Sequence, residues 1–301
     1  MAGNPLKDRL AARQPVFGGW CSAGSPFAAE VIGLQGFDWV GLDGQHGLWS
    51  YESLLAAMMA LSRTGAGIIV RLPSRDAAAA GRVLDAGAHG VIFPMVESAD
   101  DAREAVEACR IYPLGKRSFG PVRASQAFGR DPAVVSESVS CVVMIETAVG
   151  VENIEDIARV PGVDCIYIGP GDLAITMGLP PGNDPIPGPH ADGIEQVRKV
   201  ATEHGVAVGM PCTNAVSALA LAERGFSLLA VGADTWWITS AARQETEALR
   251  QAGFLRSRVL THMLKIRAPG SSAASLQRHV VTPGTSDPTC SGGKRKEGAR
   301  R

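Results

Sequence analysis

Eight short apolar runs alternate with alanine-rich segments of helical spacing between residues 16 and 252, and this alternation restricts the fold more than any other feature of the chain. The runs lie at 16–21 (VFGGWC), 37–42, 67–72, 90–94, 141–146, 163–168, 206–210 and 227–231. Most are continuously apolar, as expected of parallel strands covered on both faces. Helical segments fall between them at 26–35, 51–63, 76–87, 98–110, 151–159, 191–204, 214–224 and 239–252, with glycine closing helices in AGAHG and ERGF. About eight β/α units in roughly 250 residues predict an α/β TIM (β/α)8 barrel. A doubly wound open sheet is the alternative, but no GxGxxG opens the first helix.

Two stretches interrupt the pattern. Residues 111–136 form a long loop before the fifth strand, of the kind that is usually functional or interfacial. Residues 179–190 (LPPGNDPIPGPH) read as a proline-glycine linker over the barrel top. The barrel domain is expected over 1–265. Residues 266–301, rich in Ser, Pro and Gly and basic at the end, read as a low-complexity, disordered tail.

A formal charge of −1 argues against a nucleic-acid partner. No apolar run reaches the roughly 18 residues of a membrane span, and the first nineteen residues lack the apolar centre of a secretory leader. The six cysteines show no CxxC spacing, and Cys141 and Cys165 sit within apolar runs. They read as reduced core thiols of a cytoplasmic protein.

In a barrel of this kind chemistry lies at the C-terminal ends of the strands. The most informative stretch is Cys141–Gly178, which reads as strand, helix, strand and glycine-rich turn. Its first strand ends in Glu146 and its second delivers Asp172 through Gly169-Pro170-Gly171. Two acids on one rim repel unless a cation lies between them, and a divalent metal on oxygen ligands suits that position. Asp43 and His46 follow the second strand, Arg71 ends the third, and Asp85 closes the helix before the fourth. An arginine ending an apolar strand suits an anionic substrate. A histidine three residues after an aspartate suits a general base oriented by a carboxylate. Asp85 also reads as a local cap or ion-pair partner, and His89, His190, His204, His262 and His279 as surface or loop residues. No lysine lies in a predicted strand, so carbonyl chemistry here needs a metal rather than a Schiff base.

The segments GFDWVGLDGQHG, IIVRLP, VLDAGAHGVIFPMVESADDAREAV, YPLGKRSFGPVRAS, IET and IGPGDLAITMG together resemble the HpcH/HpaI aldolases, over about residues 17–253. The resemblance implies a barrel of the phosphoenolpyruvate/pyruvate type and a class II aldolase using Mg²⁺ or Mn²⁺, with Co²⁺ a further option. It places Glu146 and Asp172 as metal ligands and Arg71 at the enolate. His46 is the catalytic histidine, with Asp43 and Asp85 around it. Trp20 lines the pocket, and the Gly171 and Asp172 amides meet the oxo-acid carboxylate. It also implies a homo-hexamer. Gln45 and Met144 depart from the family pattern, which has an acid and a glutamine at those positions.

The expected reaction is reversible cleavage of 4-hydroxy-2-oxo acids to pyruvate and an aldehyde through a pyruvate enolate, with decarboxylation of oxaloacetate through the same species. Three alternatives remain open at this point: a synthase of a specialised pathway resembling macrophomate synthase, an acyl-CoA lyase of the citrate-lyase β type, and a non-catalytic binding barrel.

Overall fold

The computed structural model describes residues 4–255. Its strands are β1 (Val16–Cys21), β2 (Trp39–Asp43), β3 (Gly67–Arg71), β4 (Gly90–Phe93), β5 (Ser140–Ile145), β6 (Cys165–Ile168), β7 (Ala207–Pro211) and β8 (Leu228–Ala233). They pair in chain order, all parallel, and β8 returns to β1 to close the barrel. The TIM-barrel expectation is thus met and the open sheet is excluded. The helices are α1 (Lys7–Ala11), α2 (Pro26–Gly33), α3 (Tyr51–Leu61), α4 (Ala77–Asp85), α5 (Ala99–Cys109), α6 (Ala124–Phe128), α7 (Pro132–Glu137), α8 (Ala148–Glu152), α9 (Ile154–Ala158), α10 (Pro170–Thr176), α11 (Pro189–Glu203), α12 (Ala215–Glu223) and α13 (Asp234–Gln251).

Two apolar layers hold the barrel. Outward-facing strand residues such as Val40, Ile68, Val91 and Val143 pack under the helices, while Val16, Trp39, Ile69, Val142, Cys165 and Leu228 fill the lumen. Leu6 and Leu10 join the lumen cluster from below. The asparagine before them fixes this plug, since Asn4 Nδ2 donates to the carbonyls of His89 (2.7 Å) and Ser138 (2.9 Å). Large rings in so narrow a space need glycine beside them. A Cβ on Gly18 would lie 2.2 Å from the Trp39 ring, and one on Gly41 2.6 Å from Trp20.

The structure differs from the sequence expectation in four places. The plug helix α1 was not anticipated. The 111–136 stretch contains α6 and α7 rather than loop alone, with Asp131 capping the Ala133 and Val134 amides ahead of Pro132. The GPGD turn opens a helix, α10. His190 lies in α11 rather than on a surface or loop, while His89 keeps the expected loop position before β4 but is turned inward. His190 is fully buried, and the mostly buried His89 accepts the Ile68 amide on Nδ1 at 2.9 Å. Burial, with the Arg123 charge adding to it, pushes the His89 imidazole down to about 4. The five described cysteines are buried thiols. No described helix is long and apolar enough to cross a membrane. Residues 256–301, which contain the expected tail, Cys290, His262 and His279, lie outside the described residues.

Candidate active site

The C-terminal ends of the strands surround a cavity of about 360 Å³, within the roughly 300–1,000 Å³ usual for small-molecule sites. Trp20, Arg71, Met144, Tyr167, Gly171 and Asp172 line one part of it, and the linker with the ends of β7 and β8 lines the rest.

Strand register explains the first pair. Asp43 and Arg71 end β2 and β3 as direct partners, so their side chains leave the barrel at one height. Arg71 Nε donates to Asp43 Oδ1 at 2.9 Å and Nη2 to Oδ2 at 2.6 Å. Trp20 Nε1 (3.2 Å) and the Ser22 hydroxyl (3.4 Å) also donate to Oδ2, and the backbone amides of Gln45 and His46 to Oδ1 at 3.1 Å each. Burial alone would raise the Asp43 carboxyl, but the bonds and charge of Arg71, with those from His46 and Trp20, hold it below its ordinary value. The guanidinium lies 5.2 Å from the Trp20 ring centroid, and that ring stacks on Tyr167. Arg71 is therefore held on two sides, by carboxylate and by ring.

The second pair is negative. Glu146, directly after β5, is 1% exposed. Its Oε1 accepts the Met95 amide at 2.8 Å, while its buried Oε2 has no hydrogen-bond partner among the described residues. Burial pushes the Glu146 carboxyl up; the Met95 bond opposes this, and the neighbouring Asp172 charge adds to it. A Cβ on Gly169 would sit 2.7 Å from Glu146 Oε2 and 2.7 Å from Met144 Cε, so glycine leaves that oxygen its space. A buried carboxylate with one unpartnered oxygen beside a second carboxylate fits a divalent cation, which commonly takes one or two carboxylates and completes its shell with water and substrate. No group of three or more His, Cys, Asp or Glu suited to a metal occurs among the described residues, so Glu146 and Asp172 are the acids here that could hold a cation, with water and substrate supplying its other ligands.

The other expected residues are placed less uniformly. His46 stands on the turn after β2. Asp43 binds its backbone amide, and its ring is exposed instead of lining the cavity. Asp85 is not brought to this cavity within the chain. It ends α4, and a helix following β3 runs back toward the strands' N-terminal ends. There Asp85 accepts Arg117 Nη2 at 2.7 Å beside a separate flank cavity. Met144 lines the cavity with an apolar side chain.

Sequence reading missed the residue that fixes the Asp172 turn. His190 Nδ1 accepts the Ile186 amide at 2.9 Å, so the proton resides on Nε2, which donates to the Pro170 carbonyl at 2.9 Å. One buried imidazole thereby ties the 179–188 linker to the residue two before Asp172. The available signal was Pro189-His190 at a helix start after a Pro/Gly linker. Tyr167, whose buried hydroxyl has no partner among the described residues, and Asn183 were also missed.

A closed (β/α)8 barrel with an acid pair and a carboxylate-steadied arginine on its C-terminal rim defines the class. The family description HpcH/HpaI aldolase/citrate lyase matches residues 17–241, and the chain belongs to that family. It is 35% identical over 260 residues to the hydroxypyruvate/pyruvate aldolase of Paraburkholderia phytofirmans, covering 82% of this chain and 98% of that one. It is 34% identical over 251 residues to the 5-keto-4-deoxy-D-glucarate aldolase of Klebsiella pneumoniae subsp. pneumoniae, covering 82% and 97%. The crystal structure of an HpcH/HpaI aldolase/citrate lyase family protein from Burkholderia cenocepacia J2315 superposes with a TM-score of 0.75 at 33% identity, over 82% of this chain and 99% of that one.

Proposed function

We propose that the protein is a divalent-cation-dependent carbon–carbon lyase that interconverts 4-hydroxy-2-oxo acids with pyruvate and an aldehyde. The observation that carries the reading is the orphaned, buried Glu146 Oε2 next to Asp172, which itself lines the cavity together with Arg71. Mg²⁺ or Mn²⁺ held by the two acids, with Co²⁺ a further option, supplies the positive charge that polarises the substrate ketone.

Arg71 serves the developing charge. Cleavage of C3–C4 leaves its electron pair on the pyruvate half, as an enolate. A guanidinium already fixed by Asp43 and Trp20 stabilises that oxygen with little reorganisation. The Gly171 and Asp172 amides at the start of α10 receive the substrate carboxylate in this reading. His46 takes the C4 hydroxyl proton through a water, since its ring is exposed on the turn rather than in the cavity wall. Protonation of C3 then releases pyruvate. Oxaloacetate, losing CO₂, gives the same enolate. Relatives named as aldolases for oxo acids and keto sugar acids support the reading. Assembly into a homo-hexamer, implied by family resemblance, belongs to the proposal as well.

Purified protein incubated with 4-hydroxy-2-oxo acids of several lengths, and with oxaloacetate, tests this. Pyruvate release that needs Mg²⁺, Mn²⁺ or Co²⁺ and stops with EDTA is expected. Cation-independent release, or none from any substrate with cation bound, contradicts the proposal.

A further inference from the structure

The cavity is electrically two-sided. Arg71 and Asp172 stand on the wall made by β3, β5 and β6. The opposite wall, from the linker, β7, β8 and α13, presents Asn183, Cys212, Thr213, Ala233 and Trp236, with no charged side chain among the described residues that line it. A carboxylate adjoins that wall, because Thr213 Oγ1 donates to Oδ1 of the exposed Asp184 at 2.8 Å. With its proton engaged there, the Thr213 oxygen faces an incoming group as an acceptor, and the Asn183 amide offers both donor and acceptor atoms.

We infer that the aldehyde half of the substrate is uncharged and carries a hydroxyl group, and that Asn183 and Thr213 determine this specificity. The inference rests on the proposed aldol reading, in which the oxo-acid half lies against the charged wall. A carboxylate on the aldehyde half would then enter the uncharged wall. It would lose hydration without gaining a cation, and would meet the Asp184 charge at close range. A hydroxyl can donate to Thr213 and exchange bonds with Asn183, so its desolvation is compensated. The Trp236 ring, half exposed beside them, gives the carbon chain an apolar surface. The reaction balances as an addition: pyruvate C3 loses a proton, bonds the aldehyde carbon, and the aldehyde oxygen gains a proton.

The test pairs two measurements on the full-length protein with Mn²⁺. Exchange of pyruvate methyl hydrogens with D₂O reports enolate formation without any aldehyde. Addition of pyruvate is then compared among glycolaldehyde, propanal, glyoxylate and succinic semialdehyde. Glycolaldehyde is expected to exceed both carboxylated aldehydes by at least tenfold in kcat/KM, and propanal by a smaller factor. Asn183→Arg, on an exposed part of the linker, is expected to move the ratio at least tenfold toward the carboxylated aldehydes. Exchange with equal or better use of glyoxylate or succinic semialdehyde overturns the inference and leaves the aldol reading standing. A ratio unmoved by Asn183→Arg, or propanal surpassing glycolaldehyde, overturns the roles of Asn183 and Thr213. Absence of exchange overturns the aldol reading and the inference with it.

Discussion

Arg71 grips Asp43 side-on, Nε on one carboxylate oxygen and Nη2 on the other, because β2 and β3 bring the two residues to the rim as register partners. The grip fixes the guanidinium before substrate arrives. It also keeps the carboxylate charged where burial would otherwise favour the acid. The aspartate that the sequence suggested as the partner of the His46 ring is thus first of all the partner of Arg71.

Replacing Arg71 separates its two roles. Arg71→Ala should lower turnover about 10²–10³-fold, the scale of losing one donor to a developing oxyanion. It should also destabilise the fold by about 3 kcal/mol, because Asp43 is left buried without its cation. Arg71→Lys retains charge without the paired geometry and should recover stability more than turnover. Pyruvate release and urea unfolding measure the two effects, and unchanged turnover in Arg71→Ala removes the residue from the mechanism.

Glu146→Gln should act oppositely on stability. The amide can keep the Met95 bond while discarding the orphaned charge, so the cation-free protein should melt at the same or a higher temperature. Wild type should gain about 2.7 kcal/mol when Mn²⁺ is present at 100 times its Kd, and the variant should gain almost nothing. Thermal scans with Mn²⁺ and with EDTA decide this. A preserved Mn²⁺-induced rise in the variant would remove Glu146 as a ligand.

His190→Ala removes the ring's bond to the Pro170 carbonyl and leaves the Ile186 amide without its side-chain acceptor, at a cost of about 1–3 kcal/mol for the amide if it stays buried. The Asp172 turn should then loosen, so Mn²⁺ affinity falls together with Tm. His190→Gln can restore one or both bonds and should recover part of the affinity. Affinity equal to wild type in a destabilised, folded His190→Ala protein would reduce His190 to packing.

His89 sets a pH dependence. Its folded value of about 4 lies below the ordinary histidine value near 6.5, so between the two the unfolded chain binds more protons. Stability therefore rises with pH across that window, and is lost as pH falls from 6.5 toward 4. From pH 7 to 5 the contribution should be about 2 kcal/mol. Urea unfolding of wild type and His89→Gln at both pH values isolates it; an equal pH effect in the two proteins assigns the loss to other groups.

The barrel was legible because continuous apolar runs and glycine-closed helices repeat with a period that few folds share. The acid pair was legible because Glu146 directly ends one such run and Asp172 follows another after a short Gly-Pro-Gly turn. What escaped depended on contacts distant in sequence. Asn4 and α1 are too short to show periodicity, and only the barrel's open lower end gives Leu6 and Leu10 somewhere to pack. His190 looked like a linker histidine because its partner, Pro170, lies 20 residues earlier. Asp85 read both as a residue around His46 and as a local ion-pair partner; within this chain it pairs with Arg117, because the direction of α4 carries it away from the C-terminal rim. The short helices α6 and α7 had a visible Asp-Pro start, but their length gave too few positions for an amphipathic pattern.

The most direct test of the central claim, that Glu146, Asp172 and Arg71 make a cation-dependent enolate site, is deuterium incorporation at the pyruvate methyl group, followed by NMR. With Mg²⁺ or a diamagnetic substitute present, wild type should exchange its methyl hydrogens. EDTA, Glu146→Gln or Arg71→Ala should each slow the exchange at least a hundredfold. Exchange that persists in EDTA, or in Glu146→Gln at the wild-type rate, would contradict the account.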